Sequence, residues 1–261
     1  KGWRGVETGW PCIGKNRFRI DNLLRKFDRP TGWIVAGKIG TRRAKLGETE
    51  VTVAAPVGEG MRRMDILTLL TFVWPQMQAV FPRDPAKLLI VGAGDPMWRG
   101  GLSATNSYYR HADRPRVSEN GTSSLGHELV HVFSRISQRD RSDWVVEGLA
   151  EYYAIEIMRR AGGLSEERYQ KIRQQLSKWS KPVKSLRGKR STGPVTARAV
   201  LLLQELDREI RQATKDSQPR SLDDVTRGLM RLDKVSTQDL IDISESVMGA
   251  PSEVLDTRLL R

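Results

Sequence analysis

Two histidines four residues apart, with a glutamate directly after the first, restrict this chain more than any other stretch: Gly126-His127-Glu128-Leu129-Val130-His131-Val132-Phe133. An α-helix advances 3.6 residues per turn, so the spacing stacks His127 above His131 and lets both imidazoles aim at one point. Such a pair suits a zinc ion, Zn2+. Glu128 lies off the ligand axis yet close enough to take a proton from a water that the metal activates, which makes it the candidate base. Catalytic zinc needs a third protein ligand and one open position. Glu147 follows His131 after fifteen residues, enough for a turn and a second, antiparallel helix, and is the candidate third ligand. One turn further on the same face, Glu151 is placed to accept a hydrogen bond from the other nitrogen of a ligating histidine and so fix its tautomer. His-Glu-x-x-His also arises by chance in helical sequence, but this chain has only three histidines, two of them in the motif, and an E-x-x-x-E pair follows it.

Joined to Trp144-x-x-Glu147-Gly148-x-Ala150-Glu151-Tyr152-Tyr153, the pattern resembles the gluzincin metallopeptidases, most closely the glycyl aminopeptidase family and more distantly aminopeptidase N. The close match covers Gly126 to Tyr153, and a looser one runs from about Pro56 to the end. The resemblance implies zinc held by His127, His131 and Glu147, with Glu128 activating water for peptide hydrolysis. It implies an α+β fold: a thermolysin-like zincin catalytic domain with a small mixed sheet and a mostly helical C-terminal lobe, preceded by a short β segment. The expected parts are a remnant β segment over 1–57, the zincin core over 58–162 and the helical lobe over 163–261.

In gluzincins an edge strand above the metal binds the substrate backbone as an added strand. Gly100, Gly101, Leu102 and Ser103 occupy the matching stretch, where glycyl aminopeptidases have Gly-Gly-Leu-Glu-His. Ser103 thus replaces a Glu that resembles the acid gripping a substrate's free amine. A neutral hydroxyl cannot pair with an ammonium ion, so the expectation is an endopeptidase or an atypical substrate rather than an aminopeptidase. A family Tyr thought to hold the oxyanion aligns with Thr196, and losing one such donor typically costs about 10²- to 10³-fold in rate. Tyr109, His111 and Arg198 are unranked substitutes. Two rival readings remain: a catalytically weak or inactive zinc-containing binding protein on this fold, and hydrolysis of something other than a peptide.

At 261 residues the chain can bury a substantial core in one large domain or two to three small ones. Its longest strongly apolar run, Ile66 to Trp74, is far too short to span a bilayer. Residue 1 is Lys and no charged-then-apolar leader follows, so a processed or trimmed chain is expected, with an exported or cell-envelope (periplasmic) location favoured over a cytoplasmic one. The lone Cys12 cannot form an internal disulfide and is expected to be a packed thiol. Residues 1–46 carry twelve Lys/Arg against three Asp/Glu, or +9 of the net +13. Between Glu167 and Glu205 lie ten Lys/Arg and no acid. Such runs are most often solvated surface; the functional alternative is an anionic partner such as an envelope surface, met through the basic N-terminal segment. Nucleic acid is disfavoured because neither block carries a recognisable binding motif. The expected partner of the site is a peptide or protein substrate.

Thr31–Gly37 and Glu50–Ala55 read as short strands, Lys87–Gly92 as a buried strand, and Gly100–Tyr109 as one more polar edge strand. Met61–Phe81 has helical spacing that Pro75 should kink or divide. Asn120–Ser124 reads as a turn into the zinc helix, with Ser123 or Ser124 as its cap. Helices are expected over Ser165–Trp179, Val195–Thr214, Ser221–Leu232 and Ser236–Met248, the last two opened by capping boxes with Asp224 and Asp239.

Overall fold

The computed structural model describes residues 5–21, 31–94, 100–115 and 123–261. The chain forms two compact units, one of residues 1–79, 83–117 and 123–133, the other of residues 80–82, 118–122 and 134–261.

In the first unit β1 (Gly5–Thr8) pairs with β4 (Ile34–Gly37), and β2 (Cys12–Gly14) with β3 (Arg17–Phe18), both antiparallel. Five further strands form a mixed sheet: β5 (Ile39–Leu46), β6 (Thr49–Pro56), β7 (Lys87–Ala93), β8 (Gly101–Ala104) and β9 (Ser107–His111), in spatial order β5-β6-β7-β9-β8. The outer pairs run antiparallel and the two inner pairs parallel. The boundary expected at residue 57 therefore does not set residues 1–57 apart, because β6 pairs along β7 from Glu50↔Lys87 to Ala54↔Val91. The single edge strand expected over 100–109 is instead a hairpin. It turns at Thr105-Asn106, where Asn106 takes φ +51°, so that only β8 lies at the edge.

The continuous apolar run of β7 reflects burial on both faces. Leu89 and Val91 join Ala54 and Tyr109 in one cluster, against which Trp33 and Val35 pack. The ring of Trp33 lies 5.0 Å from that of Tyr109, and its Nε1 donates to the Leu102 carbonyl at 2.8 Å. On the opposite face Met61 packs against Gly92 so closely that a Cβ there would collide with its sulfur. Lys87, almost fully buried, meets Glu7 and Glu50 at 3.5 Å each and lies 5.1 Å from the Phe18 ring centroid. This charge cluster fastens β1 to the sheet, since a buried ammonium left unpaired would be costly. Arg43 also pairs with Glu7, and with Arg42 and Lys45 it places charge along edge strand β5, which discourages pairing with another chain. Cys12 is exposed rather than packed, because β2 belongs to a small surface hairpin.

Helix α1 (Arg63–Val80) buries Ile66, Leu70, Val73, Trp74 and Met77, a stripe of helical period. It runs unbroken through Pro75 rather than dividing there. Trp74 meets Phe133 of α2 (Ser124–Ser134) edge to face at 5.1 Å.

The second unit is helical: α3 (Asp143–Arg160), α4 (Glu166–Ser180), α5 (Pro194–Thr214), α6 (Leu222–Leu229) and α7 (Thr237–Met248). Thirteen of the eighteen residues of α3 are buried, so its neighbours surround it. Against α5 the approach is close: a Cβ on Gly148 would stand 2.8 Å from that of Ala199. Buried Trp144 donates to Thr237 Oγ1 at 3.0 Å and so ties the start of α3 to α7. Both capping boxes form, Ser221 with Asp224 and Ser236 with Asp239. Among the described residues no helix is long and apolar enough to cross a membrane.

Candidate metal centre

Ser123 opens α2: its Oγ accepts from the Gly126 amide at 3.1 Å and its carbonyl from His127 at 2.9 Å. The Asn120-Gly121-Thr122 part of the expected turn lies outside the described residues. Leu125, Leu129, Val132 and Phe133 recur at helical spacing and are buried, which turns the opposite side of α2, with His127, Glu128 and His131, toward partial exposure. The Nε2 atoms of His127 and His131 are 3.1 Å apart, with the rings steeply tilted at 73°. Two nitrogens on one tetrahedral zinc, each at about 2.0–2.1 Å from it, stand about 3.3 Å apart. The observed spacing fits that arrangement, although it also permits one ring to donate to the other.

One ligand atom from each of His127, His131 and Glu147 lies within 4.8 Å of the others, a grouping that could hold a metal ion. Two imidazole nitrogens and a carboxylate oxygen form a donor set that suits zinc and leaves a fourth position open. Glu147 occupies a particular line on α3. Before Arg159, the residues of that helix that are not buried are Asp143, Glu147 and Glu151, each four apart and each an acid. Asp143 serves the fold, accepting from the Ser191 amide at 2.6 Å and from Gln138 at 3.0 Å. Glu151 lies one turn beyond Glu147 and is likewise partly buried.

Glu128 has a partner that sequence spacing does not reveal: its Oε2 accepts from the Ser103 amide of β8 at 2.8 Å. The peptide edge of β8 thus reaches the carboxylate on α2. Leu102 beside it is exposed, and Gly101 must be glycine, because a Cβ would fall 2.7 Å from the buried Tyr108 hydroxyl. Burial pushes the Tyr108 phenol above its ordinary pKa, and the Glu128 carboxylate adds to the effect, so it stays protonated at working pH. Of the substitutes considered for the oxyanion donor, Tyr109 and His111 are buried in β9, where Tyr109 donates to the Ala93 carbonyl at 3.1 Å. Thr196 and Arg198 lie in the first turns of α5, both partly buried.

No family model matches the chain, and no curated protein does. Among solved structures, it is similar to an aminopeptidase N family protein from Idiomarina loihiensis, with TM-score 0.62 and 15% identity over 87% of this chain and 46% of that one. It is also similar to a mutant M1 zinc metallopeptidase from Deinococcus radiodurans bound to the substrate Tyr-Ser-Ala, with TM-score 0.61 and 17% identity over 87% and 53%. A third is leukotriene A4 hydrolase from Saccharomyces cerevisiae, with TM-score 0.60 and 16% identity over 85% and 38%. The chain spans about half the length or less of these proteins. At such identities the likeness is one of architecture: this chain has the α+β fold of the M1 zinc metallopeptidases.

Proposed function

We propose that the protein is a zinc-dependent peptide hydrolase in which His127, His131 and Glu147 hold the metal and Glu128 is the base. The observation that carries this reading is the convergence of those three donors, with Glu128 on the same helix as two of them. A zinc ion bound there would supply Lewis acidity, making water acidic near neutral pH and polarising a peptide carbonyl. Glu128 moves the proton: the Ser103 amide orients one of its oxygens, and the other is left to take a proton from the attacking water and hand it to the departing amine. Glu151 orients a ligating histidine through its second ring nitrogen. The β8 edge aligns the substrate backbone, with Gly100, Gly101, Leu102 and Ser103 as the strand a peptide would extend.

The finer reading concerns the amine. Ser103 offers no charge to a substrate ammonium, so we propose cleavage that does not require a free N-terminus. The solved neighbour that holds Tyr-Ser-Ala is the reason to test this directly. Paired peptides, free and N-acetylated, give the comparison: similar rates on both support the proposal, and cleavage of the free peptide alone overturns it.

Glu128→Gln tests the hydrolase itself. It should retain stoichiometric zinc, measured by elemental analysis, while hydrolysis of a peptide library falls by about 10²- to 10⁴-fold. Zinc retained with no cleavage by the unmodified protein would instead favour a binding protein on this fold.

A further inference from the structure

We propose that residues 178–190, where α4 ends and the following loop begins, form a docking surface for a lipid bilayer bearing anionic headgroups. The inference does not rest on the hydrolase reading. Lys178, Lys181, Lys184, Lys189 and Arg190 are all exposed, Arg187 is partly so, and no acid interrupts them. Among them stands Trp179, with 54% of its surface exposed, the single exposed aromatic side chain of the second unit among the described residues. An exposed indole is uncommon on a solvated charged face, where a lysine or glutamate would be expected.

The platform is held in place. The Trp179 ring rests on Gly193, whose φ is +50° and where a Cβ would come 2.9 Å from the ring. Backbone amides fix the loop within it and at its end, Leu186 N donating to the Leu259 carbonyl at 2.9 Å and Ser191 N to the Asp143 carboxylate at 2.6 Å. The C-terminal segment joined there adds Arg258 and Arg261; of its two acids, Asp256 is paired with Arg261 and Glu253 lies five residues before Arg258. Arg141 also reaches the loop, donating to the Arg187 carbonyl at 3.0 Å. A fixed aromatic loses little freedom on binding.

The chemistry of the patch selects the partner. Indole settles at the headgroup level of a bilayer, and lysines near an anionic leaflet each add favourable energy. Sequence-tolerant binding of single-stranded nucleic acid uses successive aromatic platforms, and this surface offers one ring.

Sedimentation with phosphatidylcholine vesicles, with and without phosphatidylserine, tests the proposal at physiological ionic strength. The protein should partition onto the anionic vesicles alone, and raised salt should release it. Lys181→Gln with Lys184→Gln should weaken partitioning roughly 25-fold, at roughly fivefold per cation. Trp179→Ala should weaken it several-fold, and Lys215→Gln, on the exposed end of α5, should leave it unchanged. The lysine pair has no part in the core, so its result stands even where Trp179→Ala disturbs folding. Failure to sediment with anionic vesicles, equal sedimentation with phosphatidylcholine alone, or full retention by the lysine variant overturns the proposal. So does capture of an oligonucleotide without vesicle binding, which would reassign the patch to nucleic acid.

Discussion

Helices α2 and α3 supply the three metal-ligand candidates, yet they are built differently. In α2 one apolar face is buried and the face carrying His127, Glu128 and His131 is partly open. In α3 burial extends almost all round, and Glu147 belongs to the one line of partly exposed acids that runs along the helix before its terminal Arg159 and Arg160. The first can therefore lose its polar groups with little harm to its packing, whereas nearly every position of the second serves both packing and the placement of Glu147.

That contrast can be broken by experiment. His127→Ala should abolish metal binding and hydrolysis together, while the melting of the metal-free protein moves by no more than about 1 kcal/mol, as at other partly exposed sites; unfolding by this change would erase the distinction. Trp144→Ala should cost about 3–5 kcal/mol in denaturant titration, because it empties a fully buried site and removes the hydrogen bond from the indole to Thr237 Oγ1. Gly148→Val should cost about 2–3 kcal/mol by crowding Ala199 and Leu203. Glu156→Gln sharpens the picture at the buried end of α3. Burial there opposes the charged carboxyl, but hydrogen bonds from Arg159 and Arg160 outweigh it and hold the pKa below the ordinary carboxylate range. A depressed folded pKa gives stability present above the unfolded value, near pH 4, and lost as pH falls through the folded one. The variant should therefore melt about 1–2 kcal/mol less stably at neutral pH, with the gap closing in acid.

What the sequence disclosed follows the range of the interactions concerned. The capping boxes at Ser221 and Ser236 and the spacing of His127 and His131 are decided within one helical turn, and all of them were legible. Strand β5 was not, since Arg42, Arg43 and Lys45 mask its alternation. The β8–β9 hairpin hid because its turn uses Asn106 rather than glycine for the positive φ. The Glu128–Ser103 bond joins residues 25 apart and the Lys87–Glu7 pair residues 80 apart, and no local pattern encodes either.

The line Asp143, Glu147, Glu151 limits how the length of this protein can vary. One residue inserted within α3 would rotate everything after it by about 100°. Glu151 would then swing into apolar surroundings while buried tyrosines turned outward, so gains and losses of sequence are confined to the loops that flank this helix.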